Sequence, residues 1–390
     1  MRQISTIIEI GTSKVVSVIC EAGPNDETHI LGSASVNYPG YKNRNWVDRH
    51  GVAPAIIEAI REAEKIAGKK AKSVHVGIPA DFLRVELKKV EIEFNGQKNI
   101  AQDDIDGLYK IGRSKLQVPK DYMMIHRCPI AYKLDDARKT MEPLSKRAKK
   151  LSAIISYVLA ERWFASGIAK ILLKYGYTAS TFIGASYAEA LCYIPEDKRD
   201  QGAVMIDIGA LSTCVMAVRG DGLMFHKVLP FGGNNITDDI VKVLNTKRHV
   251  AEELKKRAIY GLSLSEDDCY EVCDKDTYKF ERFPAYKVQA VIEARLKEML
   301  DVIVSALDNS GCNLPHYVPV FVTGGTASMR GLREFVQKET AHNTTIVMPQ
   351  STRFNQPAYS SSLAVASLAL EAEAEEETGF FENIKNFFMR

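Results

Sequence analysis

Two stretches of the chain repeat one order of apolar and polar positions. Ile7 to Ile19 reads I-I-E-I-G-T-S-K-V-V-S-V-I, and Ala203 to Val218 reads A-V-M-I-D-I-G-A-L-S-T-C-V-M-A-V. Each is an apolar run, an acidic residue, a glycine turn with hydroxyl side chains and a second apolar run, which predicts strand, tight turn, strand. Between the repeats, Ile56, Ile57, Ile60 and Ala63 form a helical stripe over Val52 to Ala67, followed by a strand at Ser73 to Gly77. From about residue 83 to 157 the pattern changes. Val85-Glu86-Leu87 and Val90-Glu91-Ile92-Glu93 alternate like half-exposed strands, and a helix over Asp103 to Ser114 precedes a Pro-containing strand region, so this block reads as an inserted α+β unit. A helix over Ala160 to Tyr175, a strand over Tyr177 to Ile183 and a helix over Ala185 to Cys192 lead back to the second repeat.

After that repeat the pattern predicts a strand at Gly222 to Leu229. Pro230-Phe231-Gly232-Gly233 then opens a helix over Asn235 to Leu244, with Asn234 or Asn235 as its cap and Asp238 and Asp239 in its first turn. Helices follow at Val250 to Ile259 and Val288 to Leu307. A buried-type strand, Val318 to Val322, ends in Thr323-Gly324-Gly325-Thr326, and a helix covers Gly331 to Glu339. The folded body is expected to end near Leu370, with Glu371 to Glu377 as an Ala/Glu linker.

Beyond the linker, Phe380, Phe381, Ile384, Phe387 and Phe388 fall at i, i+1, i+4, i+7 and i+8, one apolar stripe on a helix, with Lys385 and Arg390 among the polar positions. Such a helix suits a membrane surface; docking on the protein's own body or in another protein's groove are the other readings. Fully buried, five large apolar side chains contribute roughly 7 to 15 kcal/mol. Ordering about ten residues costs on the order of 1 kcal/mol each. A single tail therefore binds weakly, and stable attachment needs many tails at once.

With 390 residues the chain has room for two to three domains. Hydrophobic residues at 46% and charged residues at 26% are ordinary for a globular protein, and a net charge of +2 lacks the basic bias of a nucleic-acid binder, so no nucleic-acid partner is expected. The seven cysteines are scattered, no secretory signal precedes them, and reduced thiols are expected. Cys269 and Cys273 lack the neighbours of a metal site, and no apolar run reaches the length of a membrane-spanning helix. The basic run Arg138-Lys139 and Lys146 to Lys150 reads as a solvated loop or as a contact for an acidic partner or membrane surface.

Three glycine turns carry the candidate chemistry: Glu9-Ile10-Gly11-Thr12-Ser13-Lys14, Asp207-Ile208-Gly209 and Gly324-Gly325. Hairpin turns rich in Gly, Ser and Thr offer N–H groups and hydroxyls to a phosphate, and a strand ending in Gly-Gly lets backbone approach a ligand closely. Two such hairpins suggest two related halves gripping one nucleotide, between Gly11, Gly209 and Gly325.

These motifs resemble the actin/Hsp70-type ATPase superfamily and, within it, the FtsA family of bacterial cell-division proteins. I-E-I-G-T-S-K resembles the first phosphate segment. I-D-I-G with P-F-G-G-N-N-I-T-D-D-I resembles the second, V-F-V-T-G-G-T-A-S-M-R-G-L the adenosine segment, and A-E-E-L-K-K the stretch flanking adenine and ribose. The insert sits where that family carries its special subdomain, and the tail resembles its membrane-targeting helix.

The resemblance implies an α/β, actin-like two-lobed fold of duplicated ribonuclease-H-like domains. Residues 1–82 and 158–200 would form the first lobe, 83–157 the insert, and 201–370 the second lobe with a smaller subdomain at about 245–305. An acidic linker at 371–378 and a membrane-targeting amphipathic helix at 379–390 would complete the chain. It implies ATP or ADP with Mg, bound by Gly11, Thr12, Ser13, Lys14, Asp207, Gly209, Ser212 and Thr213 of the two hairpins, by Gly232, Gly233, Glu252 and Lys255, and by Gly324, Gly325 and Thr326. Glu9 and Asp207 would hold Mg through bound water. Membrane lipids would meet Phe380, Phe381, Ile384, Lys385, Phe387, Phe388 and Arg390. Implied partners are the tubulin-like division GTPase, through its C-terminal peptide, and further copies of the chain in a filament, at the division site on the cytoplasmic face of the membrane.

The chain departs from the pattern at three places. Glu9 stands where Asp is usual. Asp207-Ile208-Gly209-Ala210-Leu211-Ser212-Thr213-Cys214 replaces D-I-G-G-G-T-T-D, and Ala185-Ser186 occupies the place of Glu-Pro. Losing that Glu removes a candidate for polarising the attacking water, a role that contributes about 10² to 10⁴ in rate. At most a slow ATPase is expected, with no catalytic residue assigned. The alternatives are an actin-fold ATPase or kinase-type enzyme, or a pilus- or secretion-type peptide-binding scaffold.

Overall fold

The computed structural model describes residues 4–377, apart from 24–27, 43, 47, 49, 136–138, 262–263, 313, 315–316 and 352–353. The tail residues Phe380 to Arg390, on which the membrane helix was expected, lie outside the described residues, as does Arg138 of the basic run.

The chain clusters into two units. The first holds residues up to Gly202, the hairpin tip Val218–His226, and the chain from Ser361 onward; the second holds Ala203–Ala217 and Lys227–Ser360. In chain order the first unit contains β1 (Ile4–Ile10), β2 (Lys14–Ala22), β3 (Thr28–Asn37), the two-residue strands β4 (Tyr41–Lys42) and β5 (Asn45–Trp46), α1 (Val52–Ala67) and β6 (Ser73–Ile78). The insert follows as β7 (Leu83–Asn99), α2 (Gln102–Lys115), β8 (Tyr122–Leu134) and β9 (Arg147–Glu161), then α3 (Arg162–Lys174), β10 (Thr178–Gly184), α4 (Ala185–Tyr193) and α5 (Glu196–Gln201). The second unit begins with β11 (Ala203–Ile208), β12 (Thr213–Arg219), β13 (Gly222–Leu229), α6 (Gly233–Leu244) and α7 (Arg248–Arg257). It continues with β14 (Cys269–Cys273), β15 (Phe280–Pro284), α8 (Ala285–Asp308), β16 (Val320–Thr323), α9 (Leu332–Thr340) and β17 (Thr344–Ile346). The last helix is α10 (Ser360–Glu377).

The repeat in the sequence is a repeat in topology. One sheet runs β10-β6-β1-β2-β3 and the other β17-β16-β11-β12-β13, so each repeated hairpin supplies the same two strands of an equivalent sheet. β6 lies parallel to β1, as β16 lies parallel to β11. The strands are apolar on both faces, as strands covered on both sides by helices must be; Ile7, Ile8, Val204 and Met205 are all buried. This is the actin-like α/β architecture.

The insert is a three-stranded sheet, β7-β9-β8, whose core face packs on α2 through Val90, Ile105, Leu108, Ile155 and Tyr157. On the other face, Ser156 Oγ donates to the Leu223 carbonyl at 2.8 Å, and a Cβ at Gly222 would meet the Ser156 side chain at 2.9 Å. The hairpin tip is thus a close-fitting seat for the insert. Within the basic run, Lys150 pairs with Glu91 at 2.9 Å across the strands, so part of that run is ordinary cross-strand pairing.

Three expectations need correcting. The helix after Gly232 begins at Gly233, not Asn235. Asn234 and Asn235 therefore lie in its first turn, where Asn235 Oδ1 accepts from the Gly232 N–H at 3.0 Å. Asp238 and Asp239 fall in the second turn, paired with Arg248 and Arg295. The acidic stretch Glu371 to Glu377, expected as a linker, is the last part of α10. Finally, residues 218–226 and 361–370, assigned to the second lobe, cluster with the first unit: the hairpin tip packs on the insert, and α10 seats Val365 on Gly77 and Ser367 on Thr28. Among the described residues no helix is long and apolar enough to cross a membrane.

Candidate functional site

The two expected halves of a nucleotide site lie in different units, and each has its own geometry. In the first unit the β1–β2 hairpin turns through Thr12 and Ser13, and the Gly11 N–H donates to the Lys14 carbonyl at 2.9 Å. The turn is braced from outside. Tyr38 Oη donates to the Gly11 carbonyl at 2.8 Å, its N–H to the Ser13 carbonyl at 3.1 Å, and a Cβ on Gly40, at φ 78°, would overlap the Thr12 carbonyl. Neither Tyr38 nor Gly40 is marked by a local pattern, because the contact joins residues remote in sequence and brought together only by the sheet. Glu9 and Thr12 are buried and Ser13 is exposed. Burial draws the Lys14 ammonium below its ordinary range while the nearby Glu9 charge opposes that shift. Burial, then the charges of Glu9 and Asp81, push the Tyr38 hydroxyl well up, which keeps it a neutral donor.

Ser186, at the place of the missing Glu-Pro, is buried and hydrogen-bonded to His226 Nε2 at 3.0 Å. Burial, then the charge of Arg44, push that imidazole down to about 4. The group standing here is therefore a hydroxyl on a neutral imidazole.

In the second unit the β11–β12 hairpin repeats the first turn: the Gly209 N–H donates to the Ser212 carbonyl at 3.0 Å. Ala210 and Leu211 make the turn without positive φ, so their Cβ atoms are accommodated. The loop packs on the start of α6. The Gly233 and Asn234 N–H groups donate to the carbonyls of Gly209 and Ala210, both at 2.9 Å, and the Asn235 N–H to Gly232 at 3.0 Å. A Cβ at Gly232 would stand 2.5 Å from the Gly209 oxygen, which is why glycine occupies that position. The first donors of α6, which a phosphate would otherwise take, are spent on the loop.

Around the same turn Lys255 Nζ donates to the Gly233 carbonyl (3.1 Å), to Thr237 Oγ1 (2.8 Å) and to Glu252 (2.7 Å), and Thr237 Oγ1 donates to Glu252 at 2.7 Å. The Glu252 carboxyl is held below its ordinary range: burial opposes ionisation, but the Lys255 charge and the two hydrogen bonds outweigh it. Thr237, unmarked by the sequence reading, is the hinge of this knot. Thr326 Oγ1 reaches the Gly209 carbonyl at 3.4 Å, and Gly324 lies against Asp207. Of the expected residues, Gly209, Gly232, Gly233, Glu252, Lys255 and Thr326 therefore gather at one turn. Thr213 does not join them: it is fully buried and its hydroxyl donates to the Phe231 carbonyl at 2.8 Å, so it braces the loop from behind.

One trio among the described residues has metal-ligand spacing, His249 with Asp274 and Asp276. Lys247 Nζ already stands 2.8 Å from Asp274 and 2.9 Å from Asp276, supplying the positive charge there.

Residues 204–364 match the model of the family Cell division protein FtsA, and residues 82–159 match that of the SHS2 domain inserted in FtsA. The cell division protein FtsA of Streptococcus pneumoniae is 28% identical over 375 residues, covering 93% of this chain and 79% of that protein. A chain of the PilM–PilN type IV pilus biogenesis complex superposes with a TM-score of 0.62 at 18% identity, over 95% of this chain and 99% of that one. The ADP-bound MreB5 of Spiroplasma citri superposes with a TM-score of 0.54 at 13% identity, over 98% and 99%. At these identities both structures speak for the fold. The insert and the second unit each match their own model from one family, in chain order, and the chain is a divergent member of the FtsA family of actin-like cell-division proteins.

Proposed function

We propose that this protein assembles into filaments and tethers the tubulin-like division GTPase to the cytoplasmic face of the membrane at the division site. The observation that carries this reading is the joint match of the second unit and the insert to the FtsA models. The tail supplies the lipid contact through Phe380, Phe381, Ile384, Phe387 and Phe388, aided by Lys385 and Arg390. Individually weak tails become a firm anchor once filaments present many of them.

Nucleotide binding serves assembly in this reading. The turns proposed to take an adenine nucleotide are built on glycines 232, 233 and 324, each packed so closely on its own neighbours that a Cβ would collide. Gly11, Thr12, Ser13 and Lys14 of the first hairpin, and Gly209, Ser212, Gly233, Gly325 and Thr326 of the second unit, would hold the phosphates and adenosine. Glu252 and Lys255 would meet the ribose, and Glu9 and Asp207 would hold Mg through water. Bound Mg would neutralise phosphate charge. Hydrolysis is slow or absent, because Ser186 and a neutral His226 stand where a carboxylate would polarise water, and because the α6 donors are committed to the loop.

Titration of the purified protein with ATP and ADP tests the binding, and single-turnover phosphate release tests the chemistry. Turnover at ordinary kinase-like rates, about 1 per second or faster, would overturn the non-catalytic reading. Co-sedimentation with vesicles tests the tether: Phe387→Glu is expected to release the protein, and unchanged binding would remove the tail from the account.

A further inference from the structure

One end of the first unit carries lysines interleaved with exposed apolar side chains. β1, β6 and β10 are parallel, so their starts share one end of the sheet. The segment entering β6 is Gly68-Lys69-Lys70-Ala71-Lys72, and the segment entering β10 is Leu173-Lys174-Tyr175-Gly176-Tyr177. The two are tied together: the Thr178 N–H donates to the Lys72 carbonyl at 2.9 Å, and Tyr177 is hydrogen-bonded to Arg61. At this end Leu173 is 70% exposed, Ile66 53% and Tyr175 41%. Lys69 and Lys72 make no ion pair among the described residues, while Lys70 is held by the buried Glu64 at 2.8 Å. Lysines at helix C-termini are common, since they meet the negative end of the dipole. Side chains such as Leu173 and Ile66 standing in water beside them have no such reason.

The last helix ends at the same end. α10 runs antiparallel to β1 and β6: Val365 lies on Gly77, near the end of β6, and Glu373 bonds to Ser5 and His75, near the starts of β1 and β6. The register puts Ser5, Cys20, His75 and Gly77 on the face toward α10, and Ile19 with Gly32 on the face toward α1, where a Cβ at Gly32 would collide with Ala63. Glu373 therefore lies on the opposite face of the sheet from the lysines. Nearer acids are engaged: Glu64 with Lys70 and the Ala71 N–H, Glu62 with Lys65 at 3.8 Å.

We infer that this end of the body is itself a contact surface for an anionic bilayer, with Lys69, Lys72 and Lys174 at the headgroups and Ile66, Leu173 and Tyr175 at the boundary. The inference rests on the membrane reading of the tail but names a different part of the chain. It gives the body a fixed orientation on the membrane that a tail alone does not impose.

The test uses the full chain with vesicles of phosphatidylcholine alone and of phosphatidylcholine with phosphatidylglycerol. Each lysine near such a surface contributes roughly fivefold in affinity. The triple variant Lys69→Glu, Lys72→Glu, Lys174→Glu is expected to lose at least about tenfold on anionic vesicles, to bind neutral ones as the parent does, and to keep the parent's melting temperature. Leu173→Ser should weaken binding to both compositions. Anionic binding within about twofold of the parent overturns the inference. Phe387→Glu separates the two claims. If it releases the chain from both compositions, the tail is required, and the loss by the triple variant on anionic vesicles alone is what shows the body surface. If it leaves anionic binding intact while the triple variant abolishes it, the tail reading fails and the body surface stands. A parent chain that binds neither vesicle overturns both.

Discussion

Gly324 places its backbone directly against the carboxylate of Asp207: a Cβ at 324 would overlap Oδ1 of Asp207, and the residue stands at φ 88° and ψ 169°. That combination is open essentially to glycine alone. Gly324→Ala therefore meets strain and collision together and is expected to lower stability by about 2 kcal/mol or more and to abolish nucleotide binding. Gly325 is the control, since a Cβ there meets nothing nearer than Ala358 at 3.9 Å. Gly325→Ala should stay within about 0.5 kcal/mol of the parent. Urea melts with an ADP titration check both; equal losses at the two positions would refute the distinction.

The knot of Lys255, Glu252 and Thr237 makes a second prediction. Removing one member leaves the others partly buried without their partners, whereas removing both charges does not. Lys255→Met alone is expected to cost about 2 kcal/mol, and the double variant with Glu252→Gln less than the sum of the singles. A double-mutant cycle on urea midpoints measures the coupling; additive losses would show that the contact contributes little. Thr237→Val should cost about 1 kcal/mol, and Thr237→Ser should recover it.

These contacts mark the boundary of what the sequence discloses. The stripe Ile56, Ile57, Ile60, Ala63 suffices for α1, which spans Val52–Ala67, because burying that face is what forms the helix. The repeated hairpin likewise shows in its apolar runs, since both faces of each sheet are covered. The start of α6 was misplaced because Gly232 and Gly233 have no helical preference of their own; their geometry comes from carbonyls of a loop more than twenty residues earlier. Glu371 to Glu377 read as a linker because no apolar stripe continues past Leu370, while Glu373 is held by Ser5 and His75, which are distant in sequence. The glycines and acids of the candidate site were visible as a motif, but Tyr38, Gly40 and Thr237, which brace it, belong to no local pattern.

The seat of α10 yields a third prediction. His75 is buried, with Nδ1 2.7 Å from Thr181 Oγ1 and Nε2 2.7 Å from Glu373 Oε1, and Ser5 Oγ also bonds to Glu373. Both bonds end on Glu373 and tie the last turns of α10 to β1 and β6. His75→Ala should speed amide hydrogen exchange at residues 371–377 by about tenfold while leaving residues 363–366, which are buried, near the parent rate. Uniform change along the helix, or none, would show that Glu373 does not fix its end.

His126 sets the acid limit of the first unit. Its Nε2 accepts the Gly184 N–H at 2.9 Å, its ring stacks on Tyr187 with centroids 4.4 Å apart, and loss of solvent pushes its pKa down to about 3. An unfolded histidine takes a proton at about pH 6.5, whereas the folded ring resists until about pH 3. The folded-state value is the lower one, so the stability tied to this ring is complete above about pH 6.5 and falls as the pH drops toward 3, at up to about 1.4 kcal/mol per pH unit. His226, at about 4 through burial and then the Arg44 charge, adds a loss of the same sign over a shorter range. The carboxylates enter later: Asp274, held well below its ordinary range first by the Lys247 ammonium, contributes a loss that begins only under about pH 4. Between pH 6.5 and 4.5 the histidines should therefore dominate. His126→Gln keeps an acceptor for the Gly184 N–H and cannot titrate, so its melting temperature should fall less steeply across that window than the parent's, with the two curves converging in slope above pH 7. Thermal melts at half-unit intervals decide the matter: parallel curves from pH 6.5 to 4.5 would mean that His126 takes up its proton in the folded state as readily as in the unfolded chain.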